Sequence, residues 1–372
     1  MSRTIKFAHA GGPEVLEFIE MEVPAPGPHE VRIKVKAIGI NRAESMWRND
    51  RYVESPIFPA GLGYDCAGVV DAVGKDVTDF AVGDTVSTIP AFSLNKYFTY
   101  GEVILAPDHA VVKHPESLSF VEAASVWMMF ITAYGALVVD AHVKADDFVI
   151  IPAASSSVGL AAIQIANLAG ATPIALTRTS EKKTRLHEAG AVHVIATQEQ
   201  DMVAEVMRIT SGHGARVAFD PVGGADFPKL IAALTNQGIA YIYGALSEDD
   251  TPIPVLEMIR KMATVKGYSI RLVTGDEARR KVAVEYVTKG LASGALKPII
   301  DRIFKFDDMV EVHRYLARSS LPFERPRTGR RGRQLRYRPP PLGGARRHSL
   351  GHFCDDHGQL DRQRRDSPSP PA

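Results

Sequence analysis

The residues best placed to do chemistry form a run of small side chains, Ala154, Ser155, Ser156, Ser157, Val158 and Gly159, which follows one apolar segment and opens another. A chain turning sharply from a strand into a helix offers free N–H groups to an anion, and small residues let the backbone approach it closely. At the G-x-G-x-x-G spacing of a dinucleotide-binding turn the positions here are 154, 156 and 159, and only the last is glycine. The three hydroxyls can add hydrogen bonds to phosphate oxygens that glycines cannot make. A second group lies about 20 residues on, where an acid would accept a ribose 2′-hydroxyl and a cation would receive a 2′-phosphate. Thr177, Arg178, Thr179, Ser180, Glu181 and Lys182 stand there. No acid stands at the strand end, and Arg178 and Lys182 suit a doubly charged phosphate, so the expected cofactor is NADPH. Tight helix packing for the first group and a solvated basic turn for the second are the plainer alternatives.

Such turns work only if strands and helices alternate around them. The apolar pattern predicts strands over 147–151, 172–177, 192–195, 216–219 and 239–243, with helices over 158–168, 180–188, 200–209 and 226–234. Strands alternating with helices at this spacing pair in parallel through right-handed crossovers, so the expected fold class is α/β with a doubly wound Rossmann sheet. Residues 1 to about 125 read differently, as short strands with turn punctuation: 31–37 alternates apolar and basic residues, 68–73 is a compact apolar run, and Val82, Gly83, Asp84 lead into another strand. After Tyr268 the pattern predicts a long helix over 277–293, a short strand near 298–304 and a helix over 307–316.

The 372 residues are 45% hydrophobic and 23% charged, globular values that exclude disorder throughout. No apolar run approaches the roughly 18 residues of a membrane helix. Cys66 and Cys354 stand far apart without metal-type spacing, and Met1 to Ile5 lacks the apolar core of a signal peptide, so a reducing cytoplasm is the expected location. The formal net charge of +1 hides a division. Residues 318–372 hold 13 Arg, no Lys and 5 acidic residues, a net of +8, whereas the rest carries −7. With 8 of the 24 prolines as well, that segment is expected to be disordered or the product of a shifted reading frame. Its charge admits nucleic acid, but no aromatic interleaving or binding module accompanies it, so nucleic-acid binding is not expected.

Further stretches carry a resemblance: Gly39, Ile40, Asn41, Arg42, Ala43, Glu44; 61–73; 82–84; 118–124; Thr132, Ala133, Tyr134; Asp220, Pro221, Val222, Gly223, Gly224; and Gly244 after Tyr243. On these, residues 1 to about 317 resemble the medium-chain dehydrogenase/reductase superfamily, in its zinc-free quinone oxidoreductase (zeta-crystallin-like) branch. The resemblance implies a GroES-like, mostly β catalytic domain over 1–126, an inserted NADPH-binding Rossmann domain over 127–270, and a return to the catalytic domain over 271–317. Zinc enzymes of the superfamily hold catalytic metal through Cys, His and Cys; the corresponding positions here are Asn41, Tyr64 and about Met128, so no metal is expected. Substrate polarisation must then come from hydrogen bonds. Asn41, whose amide can donate, and Tyr52, able to orient the oxygen or supply a proton, are the implied catalytic residues, and Thr132, Val222, Tyr243 and Gly244 would border the cofactor. The implied activity is hydride transfer from NADPH to a quinone or α,β-unsaturated carbonyl, in a homodimer. An enoyl-thioester reductase and a non-catalytic NADPH-binding sensor or RNA-associated protein are the alternatives. The segment from Arg318 onward shows nothing like the final strand with which the family ends.

Overall fold

The computed structural model describes residues 1–318, so the expectations for the Arg- and Pro-rich segment lie outside the described residues. The N-terminal part is built from antiparallel strands. Five of them form a sheet in the order Val103–Pro107, Glu30–Gly39, Asp65–Val73, Thr85–Thr88 and Val111–Lys113. A three-stranded sheet runs Glu17–Met21, Ser2–Phe7 and Ala60–Gly61. Alternation decides which face is buried: Val31 and Ile33 enter a core with Cys66, Val70, Val86 and Ile104, while Arg32 and Lys34 turn out to grip Asp71 at 2.8 and 2.7 Å. Burial pushes the Cys66 thiol up to about 12, which removes it as a nucleophile or ligand.

The long strand Glu30–Gly39 ends where the site begins. Its register against Asp65–Val73 shifts twice, and Gly39 finishes opposite Asp65. A Cβ on Gly39 would lie 2.0 Å from the Ala124 carbonyl oxygen and 2.8 Å from the Asp65 Cβ. Only glycine lets strand, acid and the helix Phe120–Ala123 close to this distance.

The middle of the chain forms one parallel sheet of six strands, in the order His193–Ala196, Thr172–Thr177, Phe148–Ile151, Ala215–Asp220, Leu234–Ile242 and Thr264–Gly267. Its inner strands are nearly continuous apolar runs because both faces are covered. Val149, Ile151, Val217 and Phe219 face the helices Trp127–Tyr134, Ser157–Leu168 and Glu277–Ala292. Ile150 and Ala218 face the helices Met202–Ile209 and Phe227–Ala232 on the other side. The order, with its reversal between Phe148–Ile151 and Ala215–Asp220, is that of a Rossmann sheet, whose ligands sit beyond the carboxyl ends of the strands at the switch point.

After the helix Glu277–Ala292 the chain returns to the N-terminal sheets. The helix Met309–Arg318 inserts Met309 and Val312 into a cluster with Ile5, Phe7 and Trp47. The strand expected near 298–304 is absent from the sheets of the described residues. A strand needs a facing row of backbone partners, and here a side chain takes that place: Gln164 accepts from the Lys297 N–H at 2.7 Å and donates to its carbonyl at 3.1 Å. Two neighbouring boundaries also differ from the sequence reading, since the strand Leu234–Ile242 begins five residues earlier than the apolar pattern suggests and the helix before it ends at Ala232.

Gly39→Ala is expected to lower stability by roughly 1–3 kcal/mol, the cost of overpacking against fixed backbone. Gly267, around which a Cβ meets nothing within 4 Å, is the control. Urea unfolding of both variants checks this.

Candidate active site

The strand Phe148–Ile151 turns through Ala153, whose φ is +46°, into the 12-residue helix Ser157–Leu168. Ser156 caps that helix by accepting from the Gly159 N–H at 3.1 Å. Gly159 has no room for a side chain, because a Cβ would come within 2.7 Å of the Ala153 and Ala154 carbonyl oxygens. The turn is therefore pressed onto the helix, with Ser155, Ser157 and Val158 around a helix N-terminus whose free N–H groups favour an anion. The basic turn lies against it: the Lys182 ammonium donates to the Ser155 hydroxyl at 3.2 Å. The backbone of this turn is held from the next strand, where Thr197 donates its N–H to the Thr177 carbonyl at 2.8 Å and Gln198 to that of Arg178 at 3.0 Å. The Ser180 N–H is engaged by Glu199 at 2.8 Å, so Ser180 has only its hydroxyl to offer a phosphate.

Beyond the middle strands, Asp220 accepts from the N–H groups of Val222 and Gly223 at 2.8 and 2.9 Å and holds that turn open. Gly244 approaches so closely that a Cβ would lie 2.7 Å from the Pro221 carbonyl oxygen, and the Ser247 N–H donates to the Val222 carbonyl at 2.9 Å. Tyr243 stacks on Phe219 with ring centroids 4.0 Å apart, and its hydroxyl, beside Ser156, is buried without a hydrogen-bond partner. Burial holds that phenol far above its ordinary range. A glycine cradle, a helix N-terminus, a lysine and an orphaned phenol hydroxyl all fit a dinucleotide. Thr132 is buried and donates its hydroxyl to the Met128 carbonyl within its own helix, so toward a cofactor that hydroxyl can act only as an acceptor.

The second half of the site is built on Asn41, the N-cap of the helix Arg42–Arg48. Its backbone N–H donates to Glu44, a capping interaction that the spacing Asn-x-x-Glu encodes. Its side-chain amide donates to Asp65 at 2.9 Å and to Glu44 at 3.2 Å. Glu44 also accepts from the Tyr64 N–H at 3.3 Å. The amide expected to meet a substrate oxyanion thus has both N–H bonds directed at carboxyl groups. Burial, reinforced by the neighbouring Asp65, raises Glu44 to about 8; burial raises Asp65 to about 7 despite its bond from Asn41. Two carboxylates cannot both ionise cheaply in such a place.

Tyr52 and Tyr64 face each other with ring centroids 6.4 Å apart, and Phe92 closes the stack 5.5 Å beyond Tyr64. Burial raises both phenols, so both stay protonated and able to donate. Met128 joins Tyr64 in the same apolar cluster. Asn41, Tyr64 and Met128, far apart in sequence, thus come together, with Tyr52 at their edge. An amide, a phenol and a thioether are poor ligands for zinc beside thiolate and imidazole. Sequence reasoning passed over Glu44 and Asp65 as catalytic-site residues; the capping-box spacing from Asn41 could have found the first, but no local signal announces the second.

Because both acids have folded-state pKa values above their unfolded ones, their protonated forms favour folding at low pH, and that contribution is lost as pH rises through about 7 to 8. Glu44→Gln, which keeps an acceptor and removes the charge, is expected to flatten the fall in melting temperature between pH 6 and pH 9. Parallel slopes for the variant and the parent in thermal unfolding would contradict this.

Comparison with known proteins identifies the family. Residues 27–116 match the family model of the alcohol dehydrogenase GroES-like domain, and residues 157–285 match that of the zinc-binding dehydrogenases. A quinone oxidoreductase of Pongo abelii is 31% identical over 321 residues, covering 86% of this chain and 95% of the relative. The structure of Escherichia coli quinone oxidoreductase complexed with NADPH superposes with a TM-score of 0.77 at 28% identity, over 86% of this chain and 97% of that one. The enoyl reductase CurK superposes with a TM-score of 0.75 at 25% identity, over 86% and 96%. With a GroES-like part, a Rossmann sheet and near-complete coverage of these relatives, the chain belongs to the quinone oxidoreductase branch of the medium-chain dehydrogenase/reductase superfamily.

Proposed function

We propose that this chain reduces quinones or α,β-unsaturated carbonyls with NADPH, without zinc. One observation carries the reading: an amide, a phenol and a thioether, rather than thiolates and imidazole, stand at the superfamily's metal position as the resemblance aligns it, in a chain whose cofactor turn is joined to a lysine. Ser155, Ser156, Ser157, Val158 and Gly159 would hold the pyrophosphate, Thr177, Arg178, Ser180 and Lys182 the 2′-phosphate, and Thr132, Val222, Tyr243 and Gly244 would border the rest. Bound there, NADPH supplies a hydride. Tyr52 donates a hydrogen bond, then a proton, to the acceptor oxygen as charge develops on it. Asn41 contributes differently from the sequence expectation, since its N–H donors are committed to Asp65 and Glu44. It fixes the floor of the acceptor site.

An enoyl-thioester substrate is the second reading, supported by the likeness to CurK. A quinone panel, an enone panel and an enoyl thioester, each followed by NADPH oxidation, separate the two. Tyr52→Phe is expected to lower kcat by roughly 100-fold, as for loss of a general acid. Lys182→Ala is expected to raise KM for NADPH about tenfold, the worth of roughly 1.4 kcal/mol, and to leave NADH nearly unaffected.

No helix among the described residues is long and apolar enough to cross a membrane. The buried, unpaired Cys66 suits the cytoplasmic location we propose. We also propose a homodimer. The strand Thr264–Gly267 is an edge of the six-stranded sheet, and beside it Leu256, Ile259 and Met262 are 83%, 68% and 61% exposed. An open edge flanked by apolar side chains invites pairing. Light scattering is expected to give a dimer mass for the parent and a monomer mass for Leu256→Glu combined with Ile259→Glu.

A further inference from the structure

Tyr52 lies in a loop held on two sides. Within the N-terminal part, Asn95 donates to the Glu54 carboxyl at 3.1 Å and to the Ser55 carbonyl at 3.0 Å, and accepts from the Ile57 N–H at 2.8 Å. Across from it lies Arg271, which opens a short helix just after the edge strand of the Rossmann sheet, with one guanidinium nitrogen 3.7 Å from Glu54. The Glu54 oxygen that faces Arg271 is fully buried and has no hydrogen-bond partner, while the other accepts from Ser93 at 2.5 Å. Ile270, next to Arg271, packs into the apolar cluster that holds Tyr52 and Tyr64. A cation is thus brought to the phenol pair from a segment more than 200 residues away in sequence.

We propose that Arg271 is a positioning residue for the reduction, its guanidinium anchored by Glu54 so that positive charge faces Tyr52 as that phenol gives up its proton. This rests on the proposed reductase activity. Burial raises its pKa most; Glu44 and Glu54 add to the rise, the Tyr64 phenol and Arg271 oppose it, and Arg271 is the cation acting on both phenols. In the reaction the acceptor takes two electrons as the hydride of NADPH, which leaves as NADP⁺. The Tyr52 O–H bond breaks, a new O–H bond forms on the acceptor oxygen, and the tyrosinate then regains a proton from water. Without Arg271 that transient tyrosinate would keep only the Tyr64 hydrogen bond against the neighbouring acids.

The test is a double-mutant cycle of Arg271→Ala and Tyr52→Phe, with Arg271→Lys as the charge-conserving variant and thermal unfolding of each as a folding check. Arg271→Ala is expected to lower kcat roughly tenfold, equivalent to about 1.4 kcal/mol of barrier, while the Kd for NADPH, read by its fluorescence, stays unchanged. Arg271→Lys should recover most of the loss. The alkaline limb of the kcat profile should move to higher pH in Arg271→Ala, because a weaker acid at Tyr52 keeps its proton longer. In the Tyr52→Phe background Arg271→Ala should change kcat less than twofold. A normal kcat in Arg271→Ala, or the same loss in both backgrounds, would overturn this role while leaving the reductase reading intact. Absence of acceptor-dependent NADPH oxidation by the parent would overturn both.

Discussion

Two carboxyl groups buried against a single amide organise the N-terminal part of this molecule around Asn41. Asn41 donates to Asp65 and Glu44, and those three side chains come from a helix N-cap, the start of a strand and the first turn of the capped helix. Burying carboxyl groups is costly unless each finds donors and at least one stays protonated. The surrounding packing answers that demand: Gly39 lets the strands close, Tyr64 gives its N–H to Glu44, and the helix Phe120–Ala123 covers the ensemble. The result is a stiff floor beneath the phenols.

The cofactor half meets the opposite requirement, since it must receive negative charge. It leaves N–H groups of a helix N-terminus unfilled, brings Lys182 to the loop, and removes every obstructing side chain at Gly159. The Ser-rich turn departs from a glycine-rich one yet keeps Gly159, where a Cβ would lie 2.7 Å from the Ala153 carbonyl oxygen. Ser156 is drawn into capping the helix, so the hydroxyls are not equivalent: one stabilises the helix and another meets the lysine.

Much of this was legible from the residues. The βα alternation gave the parallel sheet because burial on both faces leaves long apolar runs that cannot be mistaken for a half-exposed strand. Element edges were less legible, as at Leu234–Ile242, where Leu234 pairs with Ala215 and the ladder resumes only at Ile239, the polar Thr235, Asn236 and Gln237 lying in the irregularity between, with Gln237 at φ +59°. The segment 298–304 shows the converse. Its residues suit a strand, but the backbone just before it, at Lys297, bonds the Gln164 side chain of a helix, and no strand of the described residues pairs with the segment.

The amino-acid sequence by itself determined the turn of small residues before a helix and the basic residues after the second strand, because each is a property of residue type at short spacing, while the residues at the superfamily's metal position were identified only through the family resemblance. Tertiary structure alone decided that the Asn41 amide is engaged by acids, that Tyr243 leaves a buried hydroxyl unmatched and that Arg271 stands beside Glu54. Those facts depend on which distant segments the sheets and their bulges bring within a few ångströms, and burial then changes the protonation of groups whose identity was already plain.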